Sequence, residues 1–522
     1  MRAHYADVWQ AVAAAVPDRE AIRSIDGEVW TYERFARDAG ALAAGLARLG
    51  VQPGDRVALL LHNRPEFLVT VFACLAAGIV PVPLNYRLRA HEVADLIDDA
   101  GARILLAPTS LEKTARDAAA AASAAVVWIL DAGLAEPSWA QLTAVPAPLP
   151  APPDDGELWL YTGGTTGRPK AVRWDEQEMF EAQMAPTYSV IGADWPRTVD
   201  DAVRIAADPA TPRVVTLPLS PFLHGTALTT AMNTLTLGGT VLVTSSPRLD
   251  ADAAVDFAAA ASATRLIVAG DGVAVPLVEA AERHGVRLPA VQTVISSGMR
   301  FSPDTKERLH ALGEITIIDM LASTEGGVYA ATTTTGAHDL PGRPRLFPSA
   351  VVLDQELHEV QERPGALGIL AQRGALPLGY HGDPEKTAAT FPVIDGVRHV
   401  MPGDWVRVED DRHIEFLGRG SAVINTGGEK VYPLEVEEVL LEHPAVADAV
   451  VLGVPDARFG EIVTAVVARQ GEVTADELSA FVDERLAGYK RPRHILFRAS
   501  LDRTPTGKVD MAGLRDEISR DR

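Results

Sequence analysis

Apolar residues along this chain follow two rules that take turns. In one they recur about every 3.6 positions, and in the other they run together for four to six residues. Phe35, Ala39, Leu42, Leu46 and Leu49 fall on one face of a helix that Thr31 can cap and Gly50 can end. The turn Gln52-Pro-Gly-Asp55 follows and leads into an apolar run that predicts a strand over 56–61. Similar short runs predict strands over 104–107, 126–130, 240–244, 266–269 and 291–295, with helical stretches between them. Residues 67–80 read as one apolar helical run. Strands that alternate with helices predict doubly wound α/β layers, with helices on both sheet faces.

The last hundred residues have a different pattern. Pro433 can start a helix over 434–442, and strands are predicted over 446–454 and 462–468. Thr474-x-x-Glu477 forms a capping box that opens a helix with Leu478, Phe481, Val482 and Leu486 inward. This predicts a small α+β unit over 420–522, set apart from a large α/β region over 1–419. Within the large region, 145–155 holds five prolines and reads as a linker between subdomains. The alanine runs 118–122 and 258–261 favour helix and carry no separate signal. No internal repeat is visible.

Composition narrows the range of functions. At 522 residues the chain has room for roughly three to four domain-sized units, and 47% hydrophobic residues supply their cores. Its 70 acidic and 48 basic residues leave a formal charge of −22. That balance argues against binding to nucleic acid or anionic membranes through bulk electrostatics. Cys74 is the single cysteine, so no intrachain disulfide can form, and its apolar surroundings make it a core residue. A reducing cytoplasm is the expectation. No secretory signal is evident, and 67–80 is too short and too near Pro81 to be a transmembrane segment.

Chemistry concentrates first in Tyr161-Thr-Gly-Gly-Thr-Thr-Gly-Arg-Pro-Lys170, which follows the apolar Leu158-Trp159-Leu160. Gly163, Gly164 and Gly167 let a backbone bring its N–H groups against an anion. Thr162, Thr165 and Thr166 add hydroxyls, and Lys170 adds a mobile positive charge, a combination that suits a nucleotide's phosphates. A Walker-type P-loop does not fit, because Arg168-Pro169 separates Gly167 from the lysine and Ala171 replaces the hydroxyl residue.

The segment resembles the phosphate loop of the adenylate-forming superfamily, with Gly163 in place of a serine and Ala171 in place of a final glycine. Six further segments carry the resemblance in order along the chain. They are Pro218-Leu-Ser-Pro-Phe-Leu-His-Gly225, Ser296-Ser-Gly-Met-Arg-Phe-Ser302, Leu321-Ala-Ser-Thr-Glu325, Gly403-Asp-Trp with Gly418-Arg419, Asn425-Thr-Gly-Gly-Glu-Lys-Val-Tyr-Pro433 and Thr504-Pro-Thr-Gly-Lys508. The chain is therefore identified as a member of that superfamily, on the side of bacterial acyl-CoA synthetases for fatty, steroid side-chain and terpenoid acids. Gly379-Tyr-His-Gly-Asp-Pro-Glu-Lys-Thr387 belongs to the same likeness.

The resemblance implies ATP, CoA and Mg2+ as cofactors and a hydrophobic carboxylic acid as substrate, with an acyl-adenylate between them. It places Lys508 at the reacting carboxylate, His224 by the acyl group, Thr324 on the α-phosphate and Glu325 on Mg2+. Ser297, Gly298, Met299, Leu321, Ala322 and Ser323 flank the adenine and acyl group, while Asp404 and Arg419 take the ribose. Gly427, Gly428 and Lys430 line a CoA channel, and Ser421 sits at the hinge of a mobile C-terminal domain. Two departures stand out: Leu321 replaces an adenine-stacking aromatic residue, and Ala322 replaces a glycine. Together with Gly163 and Ala171 in the phosphate loop, they raise a second reading, an enzyme weak in adenylation that thioesterifies a supplied acyl-adenylate. A third reading is a non-catalytic acyl-nucleotide binder. The absence of an acidic residue over 218–230 argues against amino-acid substrates. A homodimer is left open.

Overall fold

The computed structural model describes residues 3–123, 127–130, 137–162, 169–419, 424–426, 429–456, 460–503 and 509–520. The chain divides into two compact units, one made of 1–342 with 373–400 and the other of 343–372 with 401–522. The second unit thus reaches back to include residues that the sequence pattern assigns to the large region.

The first unit is built on parallel β-sheet. Its main sheet runs in the order Gly327–Thr334, Thr316–Ser323, Thr293–Ser297, Arg265–Val268, Val215–Pro218, Thr240–Val243, Glu20–Ser24, Val29–Thr31. Pairing is parallel from Thr316–Ser323 to Glu20–Ser24 and antiparallel at the two ends of that order. Arg265–Val268, Val215–Pro218 and Thr240–Val243 are buried at every position. Strands covered on both faces read as unbroken apolar runs, which explains the short runs in the sequence. A second parallel sheet joins Val80–Pro83, Arg56–Leu59, Ala102–Ala107 and Val127–Leu130. A third, antiparallel sheet joins Gly379–Tyr380, Lys170–Asp175 and Glu157–Thr162.

Local signals act where the sequence puts them. Thr31 caps the helix Tyr32–Arg48 by accepting from the Arg34 N–H at 3.2 Å. The apolar run over 67–80 is not one element. Its helix, Pro65–Ala76, ends at the Ala77-Gly78 turn, where Gly78 has φ of +66°, and Val80 opens a strand. Cys74 is fully buried in that helix, and burial pushes its thiol pKa up. The proline-rich 145–155 has no helix or strand and lies inside the first unit, so it links sheets and does not divide units. It packs so tightly on Gly40 that a Cβ there would stand 2.2 Å from the Ala147 carbonyl oxygen. The helix Tyr5–Ala15 closes the aromatic core with Trp9, whose ring meets Phe72 edge-on at 5.3 Å.

The second unit holds two sheets. One joins Ala350–Leu353, Leu367–Arg373, Asp404–Val408 and Ile414–Arg419 in antiparallel order. The other joins Glu429–Val431, Ile424–Thr426, Gly460–Arg469 and Val446–Asp456, with His494–Arg498 parallel to Gly460–Arg469. Alternate residues of Val446–Asp456 enter opposite cores. Val451 meets Val436 and Leu440 of the helix Pro433–Leu441, while Val450 and Leu452 meet Leu514 and Ile518 of Met511–Arg520. The Thr474 capping box forms, with Leu478 and Val482 buried, but Leu486 is half-buried at the edge of that core and Phe481 is half-buried against His443 and Arg485. Among the described residues no helix is long and apolar enough to cross a membrane.

Candidate active site

The glycine-rich segment lies in sequence between two antiparallel strands. Glu157–Thr162 and Lys170–Asp175 pair antiparallel, and Thr162 lies opposite Lys170 where the strands part. Gly163, Gly164, Thr165, Thr166 and Gly167 lie outside the described residues. Leu158, Leu160, Val172 and Trp174 bury the hairpin's stem. Ala171 belongs to the strand Lys170–Asp175. It pairs with Tyr161 and is fully buried against a core, which accounts for a methyl group at a position where the resemblance expects glycine.

The Lys170–Asp175 strand ties the hairpin to two other candidate segments. Its Lys170 ammonium is ion-paired with Asp383, the residue that caps the helix Pro384–Thr390. Its Trp174 indole N–H donates to the Thr324 carbonyl at 2.9 Å. Tyr380, on the strand that pairs with it, donates its hydroxyl to Glu325 Oε1 at 2.9 Å. An open cavity of about 590 Å³ adjoins these groups and is lined in part by Tyr380, Asp383, Thr387 and Phe391. A separate cavity of about 410 Å³ surrounds Trp159 and His381. Its main cations are already engaged, Arg173 with Glu157 and Arg56 with the carbonyls of Ala100 and Gly101.

Ser297 and Met320 pair at the carboxyl ends of parallel strands, where α/β sheets open a crevice for ligands. Gly298 follows with φ of +81° and open space around its Cα, and Met299 is partly exposed. The Ser297 hydroxyl is 2.6 Å from that of Thr226, in the first turn of the helix Gly225–Thr236. His224 is the residue just before that helix, partly exposed. The helix therefore points a positive dipole end toward the crevice. A bulge between Leu321 and Ala322 shifts the register of Thr316–Ser323, and both residues are partly exposed. Ser323 shares a hydrogen bond with the Tyr329 hydroxyl at 2.9 Å. Behind them Lys306 contacts Asp319 at 2.7 Å, and burial pushes the Asp319 pKa up against the pull of that lysine.

In the second unit Asp404 and Arg419 are direct register partners, fifteen positions apart in sequence but opposite each other across one hairpin. Asp404 is buried. Asn425 and Lys430 pair in the same manner. Gly427, Gly428, Ser421 and Lys508 lie outside the described residues. Arg503, just before the Thr504–Lys508 segment, forms a two-pronged ion pair with Asp448 at 2.7 and 2.8 Å.

The sequence pattern missed Trp174, Tyr380 and Asp383 as site residues. The signal was available for two of them, since Tyr380 and Asp383 stand in the Gly379–Thr387 segment that carries part of the resemblance. Among the described residues no three His, Cys, Asp or Glu side chains gather to cage a metal ion. A single buried carboxylate, Glu325, fits a hard cation that arrives with phosphate oxygens and water as its other ligands.

The first unit sets parallel strands with an antiparallel hairpin, and the second unit is an α+β module. The chain belongs to the AMP-binding enzyme family: the model of that family matches residues 9–380, and the model of the AMP-binding enzyme C-terminal domain matches 435–508. It is 36% identical to the medium-chain acyl-CoA ligase Mig of Mycobacterium avium, over 98% of this chain and 97% of that one. It is 34% identical to the medium/long-chain-fatty-acid--CoA/3-oxocholest-4-en-26-oate--CoA ligase of Mycobacterium tuberculosis, over 98% and 95%. Among solved structures, ATP-bound MatB from Rhodopseudomonas palustris superposes with a TM-score of 0.80 at 27% identity, covering 98% of this chain and 99% of that one.

Proposed function

We propose that this enzyme joins a hydrophobic carboxylic acid, of the fatty or steroid side-chain class, to CoA through an acyl-adenylate. The observation that carries the reading is the convergence of Lys170, Thr324 and Glu325, held together by Asp383, Trp174 and Tyr380 around one strand. The full-length relatives named for fatty-acid and cholestenoate substrates support the substrate class. The comparisons lend no support to a member impaired in adenylation or to a non-catalytic binder.

In the first half-reaction a carboxylate oxygen attacks the α-phosphorus of ATP, the bond to the β-phosphate oxygen breaks, and pyrophosphate leaves. Two anions must meet, so fixed positive charge and N–H donors have to act most strongly in the transition state. We assign that role to Lys508 at the carboxylate, to Lys170 and the glycine-rich segment 162–167 at the phosphates, and to Thr324 at the α-phosphate. Asp404 and Arg419 hold the ribose. His224, together with the start of the helix it precedes, borders the acyl carboxylate, and Ser297 to Met299 and Leu321 to Ser323 flank adenine and acyl chain. Glu325 would hold Mg2+, which adds positive charge at the phosphate oxygens when bound. In the second half-reaction the CoA sulfur, having lost its proton, attacks the acyl carbon and AMP departs. Gly427, Gly428 and Lys430 are assigned to the thiol's path. Rotation of 420–522 about Ser421 would exchange Lys508 for that path.

The test is a screen of linear fatty acids, steroid side-chain acids and aryl acids with ATP, Mg2+ and CoA, read as acyl-CoA by mass spectrometry. Turnover fastest with the first two classes is expected. No thioester from any acid with ATP, nor from the matching acyl-adenylates, would defeat the proposal.

A further inference from the structure

Tyr380 is held through its backbone and its ring as well as its hydroxyl. Its amide N–H donates to the Thr387 hydroxyl at 2.9 Å, and that hydroxyl donates to the Asp383 carbonyl at 2.7 Å. Gly379, with φ of +138°, lets the strand approach the helix this closely; a Cβ there would lie 2.3 Å from Thr387 Cγ2. Tyr380 is 7% exposed, with Phe391 packed against its ring at 6.0 Å and the Lys386 ammonium 4.3 Å from the ring centre. A phenol this buried needs a hydrogen-bond partner, and Glu325 Oε1 supplies one at 2.9 Å. The cation over the ring draws electron density from it and makes the O–H a stronger donor.

A carboxylate rotates about a soft terminal torsion, so an unheld Glu325 would offer a cation either oxygen or both. The hydrogen bond to Oε1 stops that rotation and occupies one oxygen. We infer that Tyr380 is a positioning residue for the nucleotide's cation: it fixes the Glu325 carboxylate so that Oε2 alone meets Mg2+. The inference rests on the role proposed above for Glu325. Binding through one oxygen suits an ion that demands near-octahedral geometry and keeps most of its ligands as water and phosphate.

The experiment measures ATP binding to the full-length enzyme by calorimetry, without acid or CoA, once with Mg2+ and once with EDTA. Tyr380→Phe removes only the hydroxyl. It is expected to cut the affinity gained on adding Mg2+ by about tenfold, the scale of a hydrogen bond to a charged group, while EDTA affinity stays within about twofold. The Mg2+ concentration for half-maximal pyrophosphate release should rise in step. Lys386→Gln leaves the ring and hydroxyl in place and should give a smaller loss in the same direction, which keeps the inference testable if the first variant folds poorly. An equal loss with and without Mg2+ would mean a merely structural role and would overturn the inference. Glu325→Gln separates the two layers. If it abolishes the Mg2+ gain while Tyr380→Phe keeps it, the Tyr380 assignment falls and the cation ligand stands. If Glu325→Gln keeps the gain, the ligand assignment itself falls, and the inference with it.

Discussion

Glu437 should make the C-terminal unit lose stability as pH rises through neutrality. It lies on the helix Pro433–Leu441 and turns inward, where its Oε1 accepts from the Val451 N–H at 2.7 Å. Burial pushes its pKa from the ordinary 4.5 to about 7, opposed by the Val451 N–H and Arg503 and assisted by Asp448 and Glu438. A group that binds its proton more tightly when folded favours folding at low pH. That contribution is complete below the unfolded value and is lost as pH climbs through the folded one. The displacement corresponds to about 3 kcal/mol in all, most of it lost between pH 5 and pH 7. Glu437→Gln keeps an oxygen for the Val451 N–H and cannot ionise, so it should track the wild type at low pH and exceed it at pH 8. The assay is hydrogen–deuterium exchange of peptides from the strand Val446–Asp456, corrected for intrinsic rates. Relative to the variant, wild-type protection should fall about a hundredfold between pH 5 and pH 8. A wild-type to variant ratio that does not change with pH would refute the reasoning.

Three further outcomes are expected. Gly40→Ala should cost about 3 kcal/mol by thermal or chemical denaturation, because the new methyl meets the backbone of Ala147 and not a side chain that can turn away. Cys74 should stay unmodified by a thiol reagent in the folded protein and react only on denaturation, since it is fully buried with its thiolate disfavoured. Lys508→Ala should abolish pyrophosphate release while sparing thioester formation from a supplied acyl-adenylate, and Gly428→Trp should do the reverse; equal loss of both activities in either folded variant would contradict domain alternation.

Much of this was legible because some interactions are local. The Thr31 cap and the Thr474 capping box span three residues each, and both form where the spacing puts them. Asp404 and Arg419 were legible as a pair through the family resemblance alone, and the backbone register of one hairpin sets them opposite each other. Contacts between distant segments leave no periodic trace. Nothing near Trp9 announces that its indole would donate to the Met232 carbonyl, 223 residues away. The same holds for Trp174 and Thr324, whose meeting depends on one sheet lying beside another. The apolar run over 67–80 was misread as one helix because a buried helix and a buried strand carry the same composition. Ala171 looked like a loop residue until the hairpin register placed it in the core.

The most direct test of the two-step chemistry follows oxygen. A carboxylic acid labelled with ¹⁸O in both carboxylate oxygens is turned over with ATP, Mg2+ and CoA, and the products are weighed by mass spectrometry. Attack by a carboxylate oxygen on the α-phosphorus predicts one labelled oxygen in AMP, one in the acyl-CoA carbonyl and none in pyrophosphate. Unlabelled AMP, or label in a phosphate released with ADP, would contradict an acyl-adenylate intermediate.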